Sequence, residues 1–102
     1  MKSLDKPIEF EWDEGNIGKP TKHNVEHRET EEAFFNKDKA IYNDVFHSQE
    51  EERYILLGRT KSKRLLYIVF TYRKTKLRVI SARDINKKEV FFYEKAAENT
   101  TI

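Results

Sequence analysis

RLLYIVFTYR at residues 64–73, followed after two residues by KLRVISAR at 76–83, decides the fold. Both runs are rich in β-branched, aromatic and aliphatic residues. Only Lys74-Thr75 separates them, so they read as partners in an antiparallel hairpin. Upstream, RYILLGRT at 53–60 reads as a third strand that reaches the hairpin through an equally short loop. KAIYNDVF at 39–46 reads as a fourth, and IEFEW at 8–12, alternating apolar and acidic residues after Pro7, as a fifth.

Turn length sets the expected register. A Lys74-Thr75 turn pairs Tyr72 with Leu77, Phe70 with Val79, Ile68 with Ser81 and Leu66 with Arg83. A Ser62-Lys63 turn sets Arg59 opposite Leu66, Leu57 opposite Ile68 and Ile55 opposite Phe70. One face then carries Leu57, Ile68, Ile55, Phe70, Val79 and Leu77 as its core. Arg59, Leu66 and Arg83 form a row at one end, with Arg53 at the other.

Residues 13–22 hold Gly15, Gly18 and Pro20, which limit any helix there to a short, broken piece. A helix is expected from about His27 to Phe35, with Thr30, Ala33 and Phe34 inward and a stop at Asn36. A closing helix is expected from Asn86 to about Ala97, opened by an Asn86–Glu89 capping box and an Ile85–Val90 staple, with 98–102 a frayed tail. At 102 residues the chain reads as one α+β domain, 1–102, with an ordered core of about 8–97 and a mostly antiparallel twisted sheet of about five strands.

Composition excludes several classes of function. There is no cysteine, hence no disulfide scaffold, thiolate zinc site or thiol nucleophile. No apolar run reaches the length of a membrane span and no secretory leader pattern opens the chain, so a cytoplasmic protein away from membranes is expected. No glycine-rich phosphate loop is present. His23 and His27 have i, i+4 spacing but no third ligand, so no metal and no cofactor are expected. The net charge of +2 conceals a polarity: residues 26–52 sum to −6 and residues 53–95 to +10. Such a basic block suits a polyanion or, equally, a solvated sheet face.

RNA carries its own nucleophile, the 2′-hydroxyl, so cleaving it needs only a proton acceptor, a proton donor and cations. Lys22-His23, Glu52-Arg53, Arg59, Arg83, and Tyr93 or Glu89 offer all three. Structural roles are open to the same residues: a hydrogen-bonding His near a turn, an ion pair at a strand end, a core tyrosine. A non-catalytic module binding RNA or a partner through a basic sheet face is the alternative.

FEWDEGNI at 10–17, KHNV at 22–25, EEAFFN at 31–36, HSQEEER at 47–53, LGR at 57–59 and RVISAR at 78–83, with Lys88-Glu89 and Tyr93, resemble the BrnT family of bacterial toxins. The likeness runs in order over about residues 8–95, with Asn24 where glycine is common and a preceding loop one residue short. It implies a RelE-like fold with N-terminal helices and one C-terminal helix, and endoribonuclease activity that inhibits translation. The partners implied are RNA and a ribbon-helix-helix antitoxin, with DNA reached only through the antitoxin. The catalytic set expected is Lys22, His23, Glu52, Arg53, Arg83 and Tyr93, and the RNA-binding set Arg59, Arg64, Arg78 and Glu89. The antitoxin is expected over the basic face of Arg53, Arg59 and Arg83.

Overall fold

A computed structural model describes residues 9–18, 20–45 and 51–100. The order is β1 (Glu9–Glu11), a 3-10 helix (Pro20–His23), α1 (His27–Phe34), β2 (Ala40–Asn43), β3 (Tyr54–Arg59), β4 (Leu65–Arg73), β5 (Lys76–Asp84) and α2 (Lys87–Thr100). The five strands form one open sheet in the order β1-β5-β4-β3-β2. Every pairing is antiparallel except β1 with β5. The architecture is α+β, as the strand-rich second half implied. Ile8, Phe46 and the HSQE stretch at 47–50 lie outside the described residues.

The hairpins differ from the expected register in two places. Between β3 and β4 the loop closes on Thr60 and Arg64, whose backbones pair at 2.9 Å, leaving Lys61-Ser62-Lys63 as a three-residue turn. Lys63 takes φ 71°, the left-handed residue that such turns use. Arg59 therefore opposes Leu65, not Leu66, and the one-residue slip sends Ile55 and Leu57 to the sheet face opposite the expected one. In β4–β5 the turn is as expected, and Tyr72 meets Leu77 and Phe70 meets Val79. A bulge beyond Phe70 then shifts the ladder, so that Ile68 pairs with Ala82 and Tyr67 with Arg83. Arg59, Leu66 and Arg83 consequently do not share a row.

Each sheet face has its own cluster. On one side α1 lays Thr30, Ala33 and Phe34 against Leu56, Leu66, Ile68, Phe70, Leu77 and Val79, as its sequence periodicity required. Gly58 lets it come close: a Cβ there would sit 2.7 Å from the Ala33 carbonyl. On the other side α2 seats Tyr93 and Ala96 on Ala40, Ile55, Leu57, Leu65 and Tyr67. Its start is the capping box read from the sequence, with the Asn86 amide on Glu89 Oε1 at 3.0 Å and the Glu89 amide on Asn86 Oδ1 at 2.9 Å. Its end lies at Thr100, past the expected stop, because Ala96-Ala97-Glu98 are helix formers and no glycine or proline interrupts them. No helix among the described residues is long and apolar enough to cross a membrane.

Candidate functional site

Charge pairing decides which basic residues remain available. Arg78, only 9% exposed, places Nη1 2.7 Å from Asp13 and 2.8 Å from Glu11, with Nη2 2.9 Å from Asp13. The hydrogen bonds from Arg78 and from the Gly15 amide hold the Asp13 carboxyl at about 2. Arg64 binds Asp84 at 2.7 and 3.0 Å and Glu29 at 3.1 Å, and caps the Asn24 carbonyl at 2.8 Å. Asp84, and to a lesser degree Glu29, raise its already high pKa. Arg73 faces Glu11 and Glu51, and Lys76 faces Glu9. Four of the thirteen bases of residues 53–95, Arg64, Arg73, Lys76 and Arg78, are thus paired with acids, most of them from other segments.

Arg83 is likewise engaged. It forks onto Glu89 at 2.9 and 2.7 Å and stacks 3.9 Å above the Tyr67 ring. The hydrogen bond to Glu89 raises its pKa against the opposing effect of burial. Burial pushes Glu89 up, but the bonds from Arg83 and the Asn86 amide outweigh it, so the carboxyl stays below its usual range. Arg83 and Glu89 therefore satisfy one another rather than standing open.

Arg59 is different. Among the described residues it forms no ion pair, and its Nε is buried with no hydrogen-bond partner. Its guanidinium lies 5.7 Å from the Tyr93 ring centre. Asn36, at the foot of α1, joins the two: its Oδ1 accepts the Tyr93 hydroxyl at 2.9 Å and the Arg59 amide at 3.2 Å. Burial raises the Tyr93 phenol, outweighing the pull of Arg59, so Tyr93 is a hydrogen-bond donor at neutral pH, and at 4% exposure its ring belongs to the core under α2. Arg59 and Asn36 line an open groove of about 870 Å³ that carries the bases Lys37 and Lys61 and also the acids Glu31, Glu32 and Asp38. Asn36 was legible in the sequence only as a helix stop; nothing local marks its side chain as the acceptor shared by two other segments.

Lys22 and His23 occupy the 3-10 helix. The His23 carbonyl is 3.5 Å from Arg64 Nη2, which brings this element to the sheet end that also carries Arg59 and the β3–β4 turn. Asn24 follows at φ 59°, the left-handed conformation that glycine or asparagine adopts readily, which explains its tolerance there. His27 stacks on Trp12 at 4.3 Å and meets the Ile17 carbonyl, so the two histidines do not share a helix face. Among the described residues no group of three or more His, Asp or Glu side chains is placed to hold a metal ion.

Glu52 and Arg53 precede β3, seven and six residues from Arg59, which puts Arg53 about 20 Å away at about 3.3 Å per strand residue. Glu52 accepts the Tyr54 hydroxyl at 2.8 Å, and its carbonyl accepts Thr71 Oγ1 at 2.7 Å. The ten expected site residues thus fall into separate groups: Arg59 with Tyr93, Lys22 and His23 on the 3-10 helix beside Arg64, Glu52 and Arg53 before β3, and Arg64, Arg78, Arg83 and Glu89 in ion pairs.

The family described as ribonuclease toxin, BrnT, of type II toxin-antitoxin system matches residues 12–89. No curated protein matches the chain.

Proposed function

The chain belongs to the BrnT family of ribonuclease toxins of type II toxin-antitoxin systems, and from that premise we propose that it is a metal-independent, RelE-like endoribonuclease, cytoplasmic and folded as one domain, that inhibits translation and is neutralised by a ribbon-helix-helix antitoxin. Its cognate antitoxin also links it to DNA. The scissile phosphate sits on Arg59, with Lys61 and Lys63 of the adjoining turn on neighbouring phosphates. His23 takes the 2′-hydroxyl proton and the 2′-oxygen attacks phosphorus. The bond to the 5′-oxygen breaks, and that oxygen receives a proton from Lys22. The products are a 2′,3′-cyclic phosphate and a 5′-hydroxyl end. Tyr93 and Asn36 position Arg59.

One observation carries this reading: a part-buried guanidinium, without an ion pair among the described residues, on the lining of a groove. A guanidinium that no carboxylate neutralises keeps its charge for a phosphate. The test is cleavage of single-stranded RNA by the purified protein in excess EDTA. Cleavage persists, and Arg59→Ala slows it about 100-fold or more while leaving the fold intact. Binding without cleavage returns the protein to the class of non-catalytic modules, and an Arg59→Ala variant as fast as the parent removes Arg59 from the site.

A further inference from the structure

α2 is held to the sheet by one side only. Tyr93 and Ala96 are its seated residues, whereas Phe91 is 57% and Phe92 49% exposed. Between Phe92 and the sheet lies a cleft of about 280 Å³ walled by Tyr42, Ile55, Leu57 and Tyr67, with Glu89 at its margin. Tyr42 spends its hydroxyl on the Phe92 carbonyl at 3.3 Å, and both Glu89 oxygens are taken by Arg83. The surface that the cleft presents is therefore apolar. Its size suits one or two apolar side chains and falls below the roughly 300–1,000 Å³ of small-molecule sites.

The helix surface beside the cleft carries two exposed lysines, Lys88 and Lys95. Lys88 and Phe92 stand one turn apart, as do Phe91 and Lys95, so two ammonium groups and two aromatic rings interleave on one face. Lys95 Nζ lies 5.7 Å from the Phe91 ring centre, and neither lysine has an ion-pair partner among the described residues. An exposed aromatic patch rimmed by charge marks a protein interface. An RNA nucleotide could stack on the rings but would find no donor or acceptor in the cleft for its base edge.

The geometry points to this face as the docking site of the antitoxin: an acidic amphipathic segment of the cognate antitoxin inserts apolar side chains between Phe92 and Tyr67 and sets carboxylates against Lys88 and Lys95. The assignment rests on membership of a type II family for the existence of that partner. It moves the antitoxin away from the expected face of Arg53, Arg59 and Arg83, because Arg83 already has its carboxylate. It leaves the Arg59 groove to RNA.

The test is titration calorimetry of the full chain with its purified antitoxin, comparing Phe92→Glu, Phe92→Ala and Lys88→Glu with Lys74→Glu in the β4–β5 turn. Circular dichroism reports the fold; Phe92→Ala carries the test should Phe92→Glu misfold. The α2 variants weaken the complex by about 30-fold or more, the range of interface hot spots, and Lys74→Glu by no more than about twofold. Free Phe92→Ala cuts single-stranded RNA as the parent does. Unchanged antitoxin affinity in folded α2 variants overturns the assignment. So does loss of affinity for a short single-stranded RNA with antitoxin binding intact, which makes this the RNA face. A parent protein that binds antitoxin in the expected pattern but never cuts RNA defeats the ribonuclease reading and leaves this surface standing.

Discussion

Arg83 and Glu89 are locked together through two parallel hydrogen bonds of 2.9 and 2.7 Å, across the turn that joins β5 to α2. Their side chains are 36% and 17% exposed, so the pair is neither fully solvated nor fully buried. Arg83 therefore anchors the first turn of α2 to the sheet, with its plane on Tyr67.

Arg83→Ala leaves the Glu89 carboxylate without its charged partner and destabilises the protein by about 1–2 kcal/mol, moderated by solvent at this exposure. Adding Glu89→Gln recovers part of that loss. Denaturant unfolding of both variants checks it. An Arg83→Ala protein with the parent midpoint but no RNA cleavage would return Arg83 to the catalytic set.

Gly58→Ala drives a methyl group toward the Ala33 carbonyl, 2.7 Å from the added carbon. The helix must lift from β3, and the expected cost is about 1–3 kcal/mol. A thermal midpoint equal to the parent's would mean that α1 is less tightly seated than the structure has it.

Asp13 gives the protein a defined acid sensitivity. Its folded pKa, about 2, lies below the ordinary carboxylate value. A depressed carboxyl contributes stability above the unfolded pKa, which is lost as pH falls toward the folded one. The loss therefore falls between about pH 4 and pH 2, and the lowered Asp84 and Glu89 add to it in the same direction. Asp13→Asn should be less stable than the parent at pH 7 and lose less on acidification. Parallel pH-stability curves for the two proteins would refute the Arg78–Asp13 contribution.

Salt dependence measures how many cations meet RNA. Lys22, Arg59, Lys61 and Lys63 at one sheet end imply a slope of log affinity against log salt of about −3, at roughly −0.7 per phosphate on a single strand. The thirteen bases of residues 53–95 acting together would give about −9. Fluorescence anisotropy across a salt series distinguishes the two.

The sequence determined what is periodic or local. Alternation and short loops dictated the hairpins of β3, β4 and β5, the spacing of Thr30, Ala33 and Phe34 dictated the buried face of α1, and Asn86 with Glu89 dictated where α2 begins. These follow from the two-residue strand period, the helical repeat and capping, all within a few bonds. Tertiary structure decided the rest. Whether the β3–β4 turn holds two residues or three was settled by Lys63 entering the left-handed region, and that choice moved Ile55 and Leu57 to the other face. The basic block looked open because its neutralising acids are distant: Glu11 and Asp13 lie 67 and 65 residues from Arg78, and Glu29 lies 35 from Arg64. Parallel pairing of β1 with β5 places the first set there, and α1 packed on the sheet brings the second. A charge pattern along a chain records composition, whereas the field at a surface depends on which segments the topology makes neighbours. For that reason Arg59, one arginine among many in the sequence, became the distinctive one only in the fold.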